Sequence, residues 1–536
     1  MAAELCLGLD ISTQSLTGLV IDAQEAEIVA LESVNYGREL PEYGAPNGFI
    51  RDFEEGVVGT VGARPEMWLD ALEVCLARLG RKVNLRNVRA ISGSGQQHGS
   101  VYLSKSYGRQ LRWLDPGKSL RIQLKSCFTR EVSPIWMDTS TSEECREIGE
   151  VMGGAGEVCR RSGSVPIERF TGPQIRRFFK RWRAAYERTE HIGLVSSFMA
   201  GVLAGRIASV DRGDGAGMNL MDIGRWEWDL QLLEATAPEL LRRLPRIDKR
   251  NGVIGRIAEY FVQRFGFLPD TRVVTFTGDN PASLVGMGAT EPGKVVISLG
   301  TSDTFFAAME RPHTDPDGFG HVFGNPGGEW MTLQCFVNGS LARERVRDRC
   351  GWGWVEFNDA ILKETKPGNG GNVMLPFFQP EISPKLNLSE PVLDGSAEFM
   401  GWKDKAGLVR ACVEGQFVNM RMRVKWMNLS AREILLTGGA SRSDGIAQVV
   451  ADVFQAKVRR LSVSDSAALG AAMLAASGGL GKPLAELQAK LSKPEGGAVE
   501  PNAAAAGVYE EIEAKLQGLL ERVCGKSGQL LSGPLS

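Results

Sequence analysis

Apolar residues alternate with small or polar ones at the start of the chain, as they do in a β-strand. Leu5, Leu7 and Leu9 have this spacing, and residues 16–21 form an apolar run after a polar turn at residues 10–15. The same plan of strand, small polar turn and returning strand recurs about 290 residues later, at residues 294–306. The repeat predicts either an internal duplication or two unrelated β-hairpins, and the pattern alone leaves both open.

Other segments predict an α/β protein. Short β-branched or apolar runs that end in glycine-rich polar turns predict strands at residues 88–92, 273–277 and 433–437. Apolar stripes at helical spacing predict helices at residues 65–79, 282–287, 333–347, 355–364, 407–426, 444–454, 467–476 and 508–522. With 536 residues, the chain is long enough for two or three domains with substantial cores.

Composition narrows the class of protein. The chain has 43% hydrophobic and 24% charged residues and a formal net charge of -2, so neither a nucleic acid nor a membrane surface is expected as a partner. Nine scattered cysteines without a CxxC pair argue against structural zinc and for reduced thiols in a cytoplasmic protein. The N-terminus has no basic segment followed by a long apolar run, so no signal peptide or transmembrane span is predicted.

The segment at residues 272–309 carries the most informative chemistry. Asp279 follows a predicted buried strand, where open α/β sheets place ligands. About two dozen residues later, the turn at 300–303 offers backbone N–H groups and hydroxyls of the kind that bind a phosphate. A carboxylate and a phosphate-binding turn together favour phosphoryl transfer to a hydroxyl, with the carboxylate taking the proton. The alternative is an aspartate that merely caps a helix.

Two further polar turns fit the same chemistry. Residues 93–100, which include Gln97 and His98, place hydrogen-bonding side chains between glycines at a strand end, as a polyol site requires. Trp136 could pack on a sugar, although a core position is the commoner role. The strand at 433–437 ends in the turn 438–441 before a helix, an arrangement that can hold a phosphate or let a nucleoside approach. Each of these turns could also be purely structural.

Taken together, seven segments resemble the FGGY family of carbohydrate kinases, and most closely its eukaryotic-type xylulose kinase branch. They occur in the family's order over almost the whole chain, and GQQHGS, FTGDNPASL and SLGTSDT are the most specific strings. The segments are DISTQS at 10–15, SGSGQQHGS at 92–100, WMDTST at 136–141, ERFTG at 168–172, FTGDNPASLVGM at 276–287, SLGTSDT at 298–304 and LLTGGAS at 435–441.

The resemblance implies two ribonuclease H-like α/β domains, related to actin and hexokinase, around a central cleft. It implies phosphorylation of D-xylulose on O5 by Mg-ATP, with Asp279 as general base and Asp10 holding Mg²⁺, through water. His98, Arg169, Asp279 and Asn280 match the family's sugar contacts, with Gln97 and Trp136 as supporters. The positions that match its ATP contacts are Thr13, Thr301, Ser302, Trp354, Gly439, Ala440 and Ser443.

The expected organisation is an N-terminal kinase domain at 4–288, a C-terminal kinase domain at 289–482 and a C-terminal linker with a helix at 483–536. The two domains are expected to close over the sugar, because water must be kept from the γ-phosphate. Two alternatives remain, a kinase for another ketose or polyol such as ribulose and a catalytically silent nucleotide-binding protein on the same scaffold. A monomer and a homodimer are equally compatible with the sequence.

Overall fold

The computed structural model describes residues 4–463 and 465–527, and within them two seven-stranded mixed sheets organise the chain. The first sheet has the order β5-β6-β4-β1-β2-β3, and β7 pairs with β4 beyond the end of β6. Strands β1, β2 and β3 are antiparallel, whereas β4 runs parallel to β1. Its strands are β1 (Leu5–Ile11), β2 (Ser15–Asp22), β3 (Glu27–Asn35), β4 (Val88–Gly95), β5 (Val253–Arg256), β6 (Arg272–Val274) and β7 (Thr277–Gly278).

The second sheet repeats this plan, with the order β10-β11-β9-β8-β12-β13-β14. Here β8 and β9 form the antiparallel hairpin, β11 extends it, and β12 lies parallel to β8 on the other side. Three antiparallel strands followed by parallel ones occur in the same order in both sheets, and β10 adds a fourth antiparallel strand to the second. Of the two alternatives that the hairpins left open, the internal duplication is therefore confirmed. The strands are β8 (Lys294–Leu299), β9 (Asp303–Met309), β10 (His321–Gly324), β11 (Trp330–Phe336), β12 (Glu433–Thr437), β13 (Lys457–Arg460) and β14 (Glu495–Val499).

Helices cover the faces of both sheets. The longer ones and those near the site are α1 (Pro65–Lys82), α2 (Ser142–Met152), α3 (Ala155–Ser162), α4 (Thr171–Arg181), α5 (Arg183–Arg188), α6 (Val195–Ala204), α7 (Arg212–Ala216), α8 (Leu230–Thr236), α9 (Glu259–Phe265), α10 (Asp279–Gly286), α11 (Ser340–Cys350), α12 (Trp354–Asp359), α13 (Lys405–Arg423), α14 (Asp444–Phe454), α15 (Ser466–Leu480), α16 (Leu484–Leu491) and α17 (Ala506–Ser527). None of the described helices is both long enough and apolar enough to cross a membrane.

Shorter elements complete the chain. Four- and five-residue helices lie at Tyr36–Glu39, Tyr107–Gln110, Leu120–Leu124, Leu240–Arg243 and Ala397–Met400. Strands of small two- and three-stranded sheets lie at Ile50–Arg51, Val61–Ala63, Ser100–Ser104, Ser133–Pro134, Thr189–Leu194, Val210–Asp211, Met221–Asp222, Glu227–Trp228, Ile247–Asp248, Val373–Leu375, Glu381–Ile382, Lys385–Leu386 and Val392–Asp394.

One predicted helix is wrong. Residues 333–347 do not form a single helix, because the chain first forms strand β11 and only then helix α11. Strand β11 has partners on both sides, β9 and β10, and its side chains are buried on both faces apart from partly buried Trp330 and Cys335. A strand buried on both faces lacks the two-residue alternation, so periodicity does not separate it from a helix.

Helix α15 joins the two halves of the chain. It belongs to the second half in sequence, yet it packs on strands β1 and β4 of the first sheet and on helix α10. The contacts are close enough to require glycine, since a Cβ on Gly470 would lie 1.9 Å from the carbonyl oxygen of Ala282, and one on Gly286 would lie 1.9 Å from that of Ser466. Small residues thus allow the backbones of α10 and α15 to touch.

The segment after residue 482, expected as a linker and a helix, is largely built into the second half. Strand β14 pairs antiparallel with β13, and helix α17 buries Tyr509, Leu516 and Leu520 in the core under the second sheet. Residues 528–536 of that segment lie outside the described residues.

Candidate active site

Asp10 lies near the end of β1, the central strand of the first sheet. The parallel register of β1 and β4 places it opposite Ser94, whose hydroxyl donates to Asp10 Oδ1 at 2.7 Å. The hydroxyl of Ser12, in the following turn, donates to Oδ2. Burial raises the pKa of the Asp10 carboxyl, and the charge of Asp465 raises it further, while the two hydroxyls oppose the shift. Asp10 is therefore a fixed and partly desolvated acid in a negatively charged setting.

Asp279 is the first residue of α10 and follows strand β7. Its Oδ1 accepts hydrogen bonds from the backbone N–H groups of Asn280, at 2.8 Å, and Gln97, at 3.4 Å. Within residues 4–463 and 465–527, Oδ2 has no hydrogen-bond partner. Burial, followed by the charge of Asp10, raises the pKa of Asp279 to about 7. One oxygen is thus held in place, and the other is open to a ligand on a group that is basic near neutral pH.

Asn280 and His98 flank Asp279. The Asn280 amide donates to Gln97 Oε1 at 2.8 Å, which fixes the side chain of the residue before His98. His98 has a positive φ of 70° and lies 2.7 Å from the carbonyl oxygen of Gly217 through Nδ1. Because a carbonyl only accepts, Nδ1 carries the proton. Burial and the nearby Arg169 lower the pKa of His98 to about 3, so the ring is neutral and Nε2 can accept a hydrogen bond.

Arg169 lies just before helix α4. The hydroxyl of Thr171, the first residue of that helix, donates to the backbone oxygen of His98 at 3.2 Å, and this bond joins the Arg169 segment to the His98 turn. The ring of Phe170 meets the His98 ring edge to face, with 4.5 Å between centroids. The structure therefore brings together four predicted sugar residues, namely His98, Arg169, Asp279 and Asn280.

The two predicted phosphate turns differ in how they are held. In the first, Thr13 Oγ1 accepts from the indole N–H of Trp136 at 2.8 Å, so Trp136 contacts the turn rather than the core. In the second, Thr301 and Ser302 form an exposed tip between β8 and β9. Behind that tip, Asp303 forms a buried bidentate ion pair with Arg343, with both N–O distances at 2.8 Å.

The predicted adenosine residues also lie near one another. Gly439 and Ala440 form a helical turn after β12. Gly438, immediately before it, has a φ of 87°, and a Cβ there would lie 2.3 Å from the carbonyl oxygen of Leu299, at the end of β8. The turn therefore packs tightly against the strand that leads into the second phosphate turn. Only a glycine fits this approach.

Ser443 and Trp354 belong to the same neighbourhood. The Ser443 hydroxyl caps helix α14 by accepting from the N–H of Ile446 at 3.2 Å, and it lies 3.0 Å from Asn358 Oδ1. Asn358 lies one turn after Trp354 on helix α12. The Trp354 side chain is 45% exposed and has the Arg347 guanidinium 4.4 Å above its ring. An exposed aromatic face next to a glycine turn can pack on a nucleobase.

Helix α7, to which no role could be assigned from the sequence, supports several site residues. The carbonyl oxygen of Gly217, just after the helix, binds His98, and that of Gly213 accepts from the Gln97 amide at 3.4 Å. Asp211, which caps α7, accepts from Thr277, two residues before Asp279, at 2.7 Å. The only signal in the sequence was the glycine- and aspartate-rich string VDRGDGAG at 210–217.

Two family models match this chain. The N-terminal domain of the FGGY family of carbohydrate kinases matches residues 131–286, and the C-terminal domain of that family matches residues 295–478. The chain is 41% identical to xylulose kinase 2 of Arabidopsis thaliana over 493 residues, which cover 89% of this chain and 87% of the relative. It is 38% identical to the xylulose kinase of Rattus norvegicus, with 99% of this chain and 98% of the relative covered.

Solved structures agree on the architecture. The ligand-bound xylulose kinase from Lactobacillus acidophilus matches with a TM-score of 0.78 at 19% identity and covers 98% of this chain and 99% of its own. Gluconate kinase from the same organism gives a TM-score of 0.79 at 19% identity, with the same coverage. At these identities the likeness shows the fold alone, which confirms the expected two-domain, actin- and hexokinase-like arrangement.

Proposed function

Since the chain belongs to the FGGY family of carbohydrate kinases, a family of phosphotransferases that use ATP and an alcohol acceptor, we propose that it phosphorylates D-xylulose on O5. The xylulose kinases of A. thaliana and R. norvegicus, similar over most of both chains, support this choice of sugar. The observation that carries the mechanism is Asp279, with one oxygen fixed by backbone N–H groups, the other unpartnered among the described residues, and a pKa of about 7.

Asp279 acts as general base. Its unpartnered Oδ2 accepts the hydrogen bond of the sugar's terminal hydroxyl, and the raised pKa lets it take the proton at neutral pH. In a loose phosphoryl-transfer transition state that proton moves late, so Asp279 first orients the hydroxyl toward the γ-phosphate. The N–H groups of Gln97 and Asn280 keep the carboxylate in place during both roles.

The sugar is held by His98, Arg169 and Asn280. His98 accepts a hydrogen bond from a sugar hydroxyl through Nε2, since its Nδ1–H group donates to the carbonyl oxygen of Gly217. Arg169 supplies donors to sugar oxygens, and the Asn280 side chain reaches the same space as Asp279. The negative charge of Asp279 disfavours an anionic ligand, whereas neutral His98 and Asn280 and the donors of Arg169 can all bind the hydroxyls of a polyol.

ATP binds mainly to residues from the second half of the chain, together with Thr13 from the first. Backbone N–H groups and hydroxyls at Thr13, Thr301 and Ser302 bind the phosphates, as exposed hairpin tips can. Trp354 packs on the base, while Gly439 and Ala440 let the nucleoside approach. Ser443 supports the ATP site indirectly, because its hydroxyl is hydrogen-bonded to Asn358 and to the first turn of α14 and holds both in place.

Asp10 fits a role in holding Mg²⁺. Each of its oxygens accepts one hydroxyl hydrogen bond, which leaves lone pairs free on a buried carboxylate whose ionisation is opposed by burial and by Asp465. Among the described residues no group of three or more His, Cys, Asp or Glu side chains could hold a metal, and Mg²⁺ typically takes one or two carboxylates, water and substrate phosphates instead. A bound Mg²⁺ would neutralise charge on the phosphate oxygens.

The proposal extends to the setting of the enzyme. No disulfide joins the nine cysteines in the part of the chain that the structure describes, which supports a reducing compartment such as the cytoplasm. We place the boundary between the two kinase domains at residue 288, between the two family matches, and the assembly is a monomer or a homodimer. Light scattering of the purified chain would separate the two assemblies.

A coupled assay of ADP release tests the function. D-xylulose, D-ribulose and xylitol are supplied in turn with Mg-ATP, and we expect D-xylulose to give the highest kcat/KM. Asp279→Asn should lower kcat by about 10²- to 10⁴-fold while ATP binding persists. The exposed Asp270 provides the matched control, as Asp270→Asn should leave turnover unchanged. Faster turnover of D-ribulose or xylitol would identify that compound as the substrate in place of D-xylulose. ADP release that does not depend on sugar would refute the proposed kinase activity.

A further inference from the structure

A histidine from the second half of the chain lies against the proposed sugar site. His321 is the first residue of strand β10, and its side chain is buried. Its ring centroid lies 5.6 Å from that of Phe170 and 5.9 Å from that of Phe323. The ring of Phe170 also meets that of His98, with 4.5 Å between centroids. The two histidines therefore lie around the same phenylalanine, one from each half of the molecule.

The sheet register shows what else shares the face that carries His321. His321 pairs with Leu333 of β11, and Cys335, two residues further along β11, pairs with Thr304 of β9. Directly paired residues and residues two apart point to the same face of an antiparallel sheet. This face thus runs from His321 to Thr304, which follows the Thr301–Ser302 tip by two residues. His321 lies at the end of this face that is remote from the Thr301–Ser302 tip.

One nitrogen of His321 is available. Nδ1 lies 3.1 Å from the hydroxyl of Ser164, whereas Nε2 has no hydrogen-bond partner within the part of the chain that the structure describes. Burial and the charge of Arg169 hold the pKa of His321 well below its ordinary value, so the ring is neutral. A largely buried ring nitrogen without a partner is uncommon, because most such groups bind protein or ligand atoms.

We propose that His321 binds the O1 hydroxyl at the keto end of the ketose through Nε2 and thereby contributes to sugar specificity. The inference rests on the proposed function. If O5 meets Asp279, the sugar runs past His98, next in the chain to Gln97, and its far end points toward Phe170 and His321. A hydroxyl can donate or accept, so it satisfies Nε2 in either tautomer.

The test compares two sugars in one variant. At saturating Mg-ATP, kcat/KM is measured for D-xylulose and for 1-deoxy-D-xylulose, which lacks the O1 hydroxyl. With His321→Ala, kcat/KM for D-xylulose should fall about 10- to 100-fold, because a buried hydroxyl loses its partner. For the deoxy sugar it should fall less than about 3-fold, since that hydroxyl is absent. The ratio of the two values does not depend on the fraction of folded enzyme.

Two further variants sharpen the result. His321→Gln keeps a polar group of similar reach and should restore part of the preference for D-xylulose. His191→Ala, on a strand of a separate small sheet, should leave the ratio unchanged. An equal loss for both sugars would show that His321 only packs, and no loss would show that it lies outside the site; either overturns the inference. If wild-type enzyme phosphorylates neither sugar, the proposed function itself fails and the inference fails with it.

Discussion

The acid limb of the pH profile tests the central feature of the site, the raised pKa of Asp279. Burial and the charge of Asp10 raise it from 3.8 to about 7, and only the ionised form can accept the proton. If that pKa holds during turnover, about 1% of Asp279 is ionised at pH 5, so kcat/KM falls about 100-fold from its alkaline plateau. An aspartate of ordinary pKa would lose less than about 10% over the same range.

The assay is kcat/KM for D-xylulose between pH 5 and pH 8.5 at saturating Mg-ATP. A cation at Asp10 would offset the effect of the Asp10 charge on the pKa of Asp279. The apparent pKa of Asp279 in the ATP complex should therefore lie below 7 but well above 3.8. Asp10→Asn removes that negative charge and should move the acid limb downward, although its turnover is low. Circular dichroism and ATP binding at pH 5 control for unfolding. A kcat/KM that stays constant down to pH 5 would refute the proposed base.

Three predictions concern stability. Asp279→Asn should melt a few degrees higher than the wild type at pH 8 in calorimetry. The raised pKa of Asp279 means that the wild type loses stability as pH rises through 7, so the difference in Tm should shrink toward pH 4. Asp303→Asn leaves Arg343 buried without its partner and should cost about 3–5 kcal/mol in denaturant unfolding while raising KM for ATP. Gly470→Ala should lower Tm, since its Cβ meets a neighbouring backbone carbonyl, whereas Gly518→Ala, in the open part of α17, should leave Tm unchanged or raise it.

Local sequence patterns predicted the parts of the fold that depend on short-range order. The hairpin of β1 and β2 follows from alternating leucines, and helix α14 was predicted with its observed ends. The two hairpins suggested a duplication, and the second sheet repeats the strand order of the first. Asp279 could be singled out because a carboxylate at a strand end is visible in one short string.

Features that arise from long-range packing were not predictable in this way. Arg177 on α4 is buried and binds Glu54, a partner more than a hundred residues away in the chain, so local sequence does not reveal this contact. His321 stood in no motif, and its position beside Phe170 results from the packing of β10 against the first half. Helix α15 lies between β13 and β14 of the second sheet in sequence but packs on the first sheet, where its glycine contacts allow the backbones to approach closely.

The same glycine contacts fix the two acids of the site relative to each other. A Cβ on Gly8 would lie 2.1 Å from the carbonyl oxygen of Ala468, so β1 rests directly on helix α15 two residues before Asp10. Helix α10, which begins at Asp279, touches the same helix through Gly470. Because backbones in contact cannot slide without clashes, Asp10 and Asp279 form one rigid unit with α15. In the proposed mechanism, the predicted closure over the sugar should therefore bring the Thr301–Ser302 turn toward these acids, whereas His321 already contacts Phe170 and Ser164 of the first half.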